Sequence, residues 1–243
     1  NRYRMIKRLI AVWSDFYYAP LLRRHACKLS GGLRQLGRNS ELLFEPHVSF
    51  GDAVLVKCPR LEIGAYSYLR SACELYAVSS IGRFCSIGNN VIIGLDRHEH
   101  PMNWLSTSLY NSTLTEKYQQ ANSSVRSDVT IGHDCWIGRD ACIMSGVHIG
   151  NGAIVAARSV VTSDVPAYAV VAGTPARVLR YRFSDEWIAR LEAVRWWDFP
   201  VDVLDQLDFS QPLDCLQRLE CEPLADAASY PKLTINRCSV RIS

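Results

Sequence analysis

The sequence predicts a mainly β fold, a parallel β-helix of hexapeptide repeats, and three observations predict it. Aliphatic residues recur every six positions in two unbroken runs, Ile63, Leu69, Leu75, Ile81, Ile87, Ile93 and then Ile131, Ile137, Ile143, Ile149, Val155, Val161. Four residues after nearly every one stands a small or branched residue, among them Ser67, Cys73, Ser79, Cys85, Cys135, Ala141, Ala153 and Ser159. Gly64, Gly82, Gly88, Gly94, Gly132, Gly138 and Gly150 directly follow the aliphatic. A period of six does not match the 3.6-residue recurrence of a helix face. It is too short for a hairpin with its own turn. It fits short strands that coil and stack their aliphatics in one column, with rungs about 4.8 Å apart.

Composition agrees. The chain has 243 residues, 48% of them apolar, and no apolar run approaches the ~20 residues of a membrane span. Its nine cysteines include no CxxC pair, and Cys73, Cys85 and Cys135 already occupy core-sized slots. Nine is odd. This reads as a reduced, cytoplasmic protein without a secretory signal or a metal site.

Residues 1–43 form a basic amphipathic helical arm. Within 1–38 nine Lys/Arg face a single acid, Asp15, and Met5, Ile6, Leu9, Ile10, Trp13, Phe16 and Tyr17 recur at three- and four-residue steps. Such an arm caps the open end of the coil. The competing reading is peripheral contact of 1–38 with the anionic inner face of a membrane. Nucleic acid is disfavoured, because the net charge is only +3 and no binding motif accompanies the arm.

The coil occupies 44–176, with Phe44 and Phe50 as weaker repeats and one extra residue between Val56 and Ile63. A loop over 95–124 lacks the period, and Val125 and Val129 resume it. Residues 177–209 read as helices: Ser184 caps a helix with Asp185 and Glu186 in its first turn. Trp187, Leu191 and Val194 mark its apolar side, and Pro200 ends it. A short helix follows from Val201 to Leu207. The tail, 210–243, carries no interpretable pattern.

Chemistry is expected in the loop, since a long excursion from a regular solenoid is more often functional than decorative. His98 and His100 lie there beside Asp96 and Glu99. A zinc enzyme of this fold would need three converging histidines. His133 could join His98 or His100, but Gly138 stands where a third is expected.

Three stretches carry a resemblance to a known family. They are Gly82-Arg83-Phe84-Cys85-Ser86-Ile87-Gly88, His100-Pro101-Met102-Asn103-Trp104-Leu105-Ser106-Thr107, and Cys135-Trp136-Ile137-Gly138 continuing through Ser159–Pro166 to Gly173-Thr174-Pro175-Ala176-Arg177. Together with Arg195-Trp196-Trp197-Asp198, they make residues 44–200 resemble the left-handed β-helix acetyltransferases. The similar branch holds the chloramphenicol and streptogramin enzymes and the polysaccharide O-acetyltransferases.

The resemblance implies transfer of an acetyl group from acetyl-CoA, without a metal, to a hydroxyl or amine. It implies His100, four residues before Trp104, as general base, and His98 lacks that spacing. Cofactor contacts fall on Trp136, Arg139, Ala157, Thr162, Ser163, Arg177 and Arg180, and acceptor contacts on Arg70, Asn103 and Trp104. The oxyanion donor would be a backbone N–H of the coil. Two departures stand out: Ser163 replaces the usual lysine, and Arg158 the usual glycine, which sends a side chain outward beside the cofactor groove. The resemblance also implies a homotrimer with the site shared between subunits. The basic arm favours a sugar hydroxyl of a surface polysaccharide or lipopolysaccharide precursor as acceptor. The alternatives are an antibiotic O-acetyltransferase and, further off, a catalytically silent scaffold.

Overall fold

The computed structural model describes residues 17–96, 100–121, 127–221 and 228–242. Three parallel sheets wrap one interior, and each hexapeptide supplies one rung to the next sheet in turn. The first face stacks Ser49–Phe50, Tyr68–Leu69, Ser86–Ile87, Trp136–Ile137, Ile154–Val155 and Ala169–Gly173. The second stacks Leu55–Val56, Glu74–Leu75, Ile92–Leu95, Cys142–Met144 and Val160–Val161. The third stacks Glu41–Phe44, Arg60–Ile63, Val78–Ile81, Val129–Ile131 and His148–Ile149.

The twelve repeat aliphatics all point inward, and none is more than 3% exposed. Each contributes about 1.5–3 kcal/mol by burial. Register follows the sequence period. Phe44 pairs with Ile63, Phe50 with Leu69 and Val56 with Leu75, so the extra residue before Ile63 is absorbed at a corner.

The small slot residues have a second use. Ser67 donates to the Gly82 carbonyl at 2.7 Å, and the thiols of Cys73, Cys85 and Cys135 donate to Gly88, Gly132 and Gly150 at 3.1, 3.1 and 3.2 Å. One interior Ser or Cys thus satisfies a corner carbonyl one coil up, a group that would be costly to bury unpaired. Burial pushes the Cys73 thiol up to about 11, so it stays protonated and can donate. Ser79 departs from the expected pattern. The pairing slips between Val129 and Thr130, Val78 takes the inward slot, and Ser79 is half-exposed.

The ends differ more. The arm expected over 1–43 is helical at 17–24 (α1), and its remainder up to 16 lies outside the described residues. From Lys28 the chain already lies on the ladders: Lys28–Leu29 pairs with Ser49–Phe50, and Leu36 bridges Val56. The coil therefore begins before Phe44. These first rungs fall outside the sequence period, because the 29, 36, 44 spacing is not six. Tyr18, Leu21 and Leu22 of α1 pack on the core.

The tail is structured. Leu233–Asn236 pairs antiparallel with Glu41–Phe44, and Val240–Ile242 adds outside it, so the chain's last strands cover the first edge of the third face. Residues expected to be helical directly after Pro175 instead form the strand Ala176–Tyr181, antiparallel to Ala169–Gly173. The helix that follows, Asp185–Val194, stops at Arg195, which adopts the left-handed conformation, before Pro200 is reached. Val201–Leu204 and Pro212–Cys221 are the later helices.

These pieces are tied to the coil by Arg83. Its guanidinium donates to both carboxylate oxygens of Glu45 (2.7 and 3.0 Å), to Asp198 (3.0 Å) and to the carbonyls of Trp197 and Ala228. The Arg83, Glu45 and Asp198 side chains are only 12–15% exposed. Breaking such a buried cluster leaves charge without a partner. Arg83→Met is expected to lower unfolding stability by about 3–5 kcal/mol in equilibrium denaturation. A loss within 1 kcal/mol would mean that Arg83 ties nothing down.

Candidate active site

The loop leaves the coil after Ile92–Leu95 and returns at Val129–Ile131. Ile93 pairs with Ile143 and Ile131 with Ile81, so the excursion is inserted at a corner between the second and third faces, and the register shifts that flank it, between Ile93 and Leu95 and between Val129 and Thr130, leave the aliphatic column in line. It is not wholly irregular. Asn111 Oδ1 accepts the Leu114 N–H at 2.9 Å, capping a helix over Ser112–Ala121. Tyr118 is that helix's buried residue, and sequence reasoning missed it; the Asn cap followed by Leu114 and Tyr118 at an i, i+4 step was the available signal. The Tyr118 hydroxyl donates to the His100 carbonyl at 3.0 Å, and its ring meets Trp104 edge-on at 5.6 Å. Tyr118 thus holds the two residues the loop motif singled out.

His100 is exposed, and its Nδ1 lies 2.9 Å from the Thr107 carbonyl oxygen. A carbonyl only accepts, so Nδ1 carries the proton. In the neutral ring Nε2 is then left with a free lone pair, the tautomer a general base requires. Asn103 is exposed nearby in sequence, and His98 lies outside the described residues.

A groove of about 600 Å³ runs along the upper coils of the first face. It brings together Arg70, Trp136, Arg139 and Ala157. Its floor is built of small residues, Gly88, Gly138, Ala156 and Ala157, and the Trp136 ring stands over half exposed. Thr162 and Ser163 are not part of this lining; they follow Val160–Val161 on the second face. Arg177 and Arg180 lie on the strand beside the groove, Arg180 opposite the lining residue Val170. Each donates to a backbone carbonyl, and among the described residues neither is matched to a carboxylate. Arg158 has φ +61°, which explains why glycine is at home there. Its side chain points outward toward Asp140 at 3.7 Å and is not in the groove lining. Among the described residues none of the loop lines the groove, and His100 is not brought to it within one chain.

Residues 121–163 match the family model described as bacterial transferase hexapeptide (six repeats). A chloramphenicol acetyltransferase of Morganella morganii is 35% identical over 185 residues, covering 66% of this chain and 84% of the relative. The chain belongs to the hexapeptide-repeat acetyltransferases. Another chloramphenicol acetyltransferase, from Agrobacterium fabrum, is 36% identical over 61% of this chain and 80% of its own length. A probable macrolide acetyltransferase of Lysinibacillus sphaericus is 36% identical over 53% and 74%. Among the described residues no helix is long and apolar enough to cross a membrane, and no group of three His, Cys, Asp or Glu could hold a metal ion.

In this acetyltransferase the other conspicuous histidine has a structural place. His133 stacks on Trp197 at 4.9 Å, and its Nδ1 accepts the Arg83 N–H at 3.0 Å. Burial pushes its pKa down to about 4; Asp198 opposes the shift and Arg83 adds to it. With the folded pKa below the ordinary 6.5, the unfolded chain binds more protons between about pH 6.5 and 4. Stability from this group is present above pH 6.5 and lost as pH falls through that window. Thermal melts are expected to drop more steeply from pH 6.5 to 4 in the parent than in His133→Gln. Parallel slopes would remove His133 from the acid sensitivity.

Proposed function

We propose that this acetyltransferase moves the acetyl group of acetyl-CoA to a hydroxyl of a saccharide acceptor, with His100 as general base. The observation that carries the reading is the His100 Nδ1 contact with the Thr107 carbonyl, which leaves Nε2 facing solvent as a proton acceptor. A sugar hydroxyl is a weak nucleophile at neutral pH, so a base must take its proton as it attacks. Acetyl-CoA supplies an activated thioester acyl group. Trp136, Arg139 and Ala157 would hold its chain along the groove, and Arg177 and Arg180 offer fixed positive charge to its phosphates. Trp104, fixed by Tyr118, would form one wall of the acceptor pocket with Asn103, and Arg70 lies at the lower end of the groove.

Because the loop and the groove belong to different parts of one chain, the working site is completed by a second copy, in a cyclic trimer. Met102, Leu105 and Tyr110 of the loop are 78% or more exposed in the single chain, apolar surface that a neighbouring subunit would cover. The acceptor has a second reading. The named relatives are drug acetyltransferases, and acetylation of chloramphenicol assayed beside monosaccharide and oligosaccharide acceptors separates the two.

His100→Ala is expected to lower turnover about a hundredfold or more in a thiol-release assay, with acetyl-CoA affinity retained. His98→Ala should be mild, and the reverse result would move the base to His98. Subunits carrying His100→Ala and subunits carrying Ala157→Trp, each inactive alone, should regain activity when mixed. A fully active monomer by light scattering, or mixtures that stay inactive after proven subunit exchange, would sink the shared site.

A further inference from the structure

The first face carries more groove than an acyl donor accounts for. Its outward column reads Lys28, Ser49, Tyr68, Ser86, Trp136, Ile154 and Val170 in unbroken register. Six steps at strand spacing make a furrow about 29 Å long. The upper part is the groove already described. Below it lies a second cavity of about 680 Å³, which shares Tyr68 and Arg70 with the first, so the two are continuous.

The lower cavity has a distinct chemistry. Tyr68 is 38% exposed, and the Arg70 guanidinium sits 5.6 Å from its ring. Tyr66 is fixed in a stack between His47 at 4.4 Å and Phe84 at 5.1 Å, so its orientation in the wall is set by packing. Ser30, Ser49 and Ser71 place hydroxyls along the same wall. Two cations, Lys28 and Arg70, face one carboxylate, Asp52, whose Oδ1 already accepts the Ala53 N–H at 2.9 Å. Neither cation forms an ion pair among the described residues.

We propose that this lower cavity is a subsite for the remote, negatively charged part of a saccharide acceptor. Tyrosine rings offer flat surfaces to the C–H faces of sugar rings, and serine hydroxyls match sugar hydroxyls. A carboxylate or phosphate on the chain would meet Lys28 and Arg70 in charge-assisted hydrogen bonds. A small apolar acceptor would leave this polar half of the furrow unused. The inference rests on the saccharide reading above and deepens it from a sugar hydroxyl to an anionic sugar chain.

Calorimetric titration of the full chain without acyl donor tests it, with trigalacturonate as carboxylate probe, uridine diphosphate glucose as phosphate probe and maltotriose as neutral control. At least one anionic probe is expected to bind about tenfold or more tighter than maltotriose. Lys28→Gln should remove most of that advantage, and His100→Ala should preserve it, because His100 is not in the lining of the cavity. The stronger of the two anionic probes identifies the anion. Equal binding of all three probes, no binding of any, or an advantage unchanged in Lys28→Gln overturns the subsite. Failure of turnover on every saccharide with trigalacturonate binding intact would instead overturn the saccharide acetylation reading and leave the subsite standing. Monosaccharide turnover with no anionic preference would do the opposite.

Discussion

The narrow interior of the coil is the constraint from which the rest follows. Three short strands enclose a core one side chain deep, so each rung offers one slot for an aliphatic and one for something smaller. Close packing leaves no latitude in either. The glycines after the aliphatics meet the same restriction at the corners. A Cβ on Gly138 would lie 2.4 Å from the Ala157 nitrogen, and one on Gly82 would lie 2.5 Å from the Gly132 oxygen. At these two corners the coils stack so closely that the residue can carry no side chain. The small slot then does a second job, since Ser67, Cys73, Cys85 and Cys135 turn their hydroxyl or thiol onto those same corner carbonyls. Geometry and hydrogen bonding select the same residues.

A solenoid with exposed ends is an invitation to further strand pairing. Here the last strands of the chain return to the first edge of the third face, and Lys28–Leu29 extends the first. Arg83 makes that return three-dimensional, because its partners come from the first coil (Glu45), the region after the coil (Trp197, Asp198) and the tail (Ala228). Conspicuous residues of the shared motifs therefore divide into two kinds. Arg83, His133, Trp197 and Asp198 hold segments together. His100, Trp104 and Trp136 are presented to solvent or to the groove.

The rigid stack also accommodates the loop. Ile93 and Ile131 continue the column across the excursion, so the loop can be long without loosening the coil. Its own small helix and Tyr118 then fix His100 and Trp104 from within. The segment bearing His100 and the furrow of the first face grow from different corners, and in the proposed trimer the exposed apolar residues of the loop are the surface on which a second copy would close the pocket.

The sequence alone determined what repeats. The period of six located every rung from Ile63 to Val161, the size of the slots placed the cysteines in the core, and the loop motif selected His100 over its neighbours. Arg70, Trp136, Arg139 and Ala157 are implied one by one by the family resemblance. Only the fold brings them together, because residues paired on successive rungs of one face, such as Ser86 with Trp136 and Trp136 with Ile154, are far apart along the chain and a single coil apart in space. What does not repeat was decided by tertiary structure. The strand Ala176–Tyr181 exists because Ala169–Gly173 offers it an edge, and Leu233–Asn236 because Glu41–Phe44 does. Neither segment has a local pattern strong enough to announce itself. Thr162 and Ser163, which the resemblance implies as cofactor contacts, lie after a rung of the second face and not in the groove of the first. Tyr118 had no visible role until the loop folded back to set its hydroxyl on His100. Periodicity records contacts made at a fixed distance along the chain, whereas caps, knots and furrows are made by residues that no fixed distance relates.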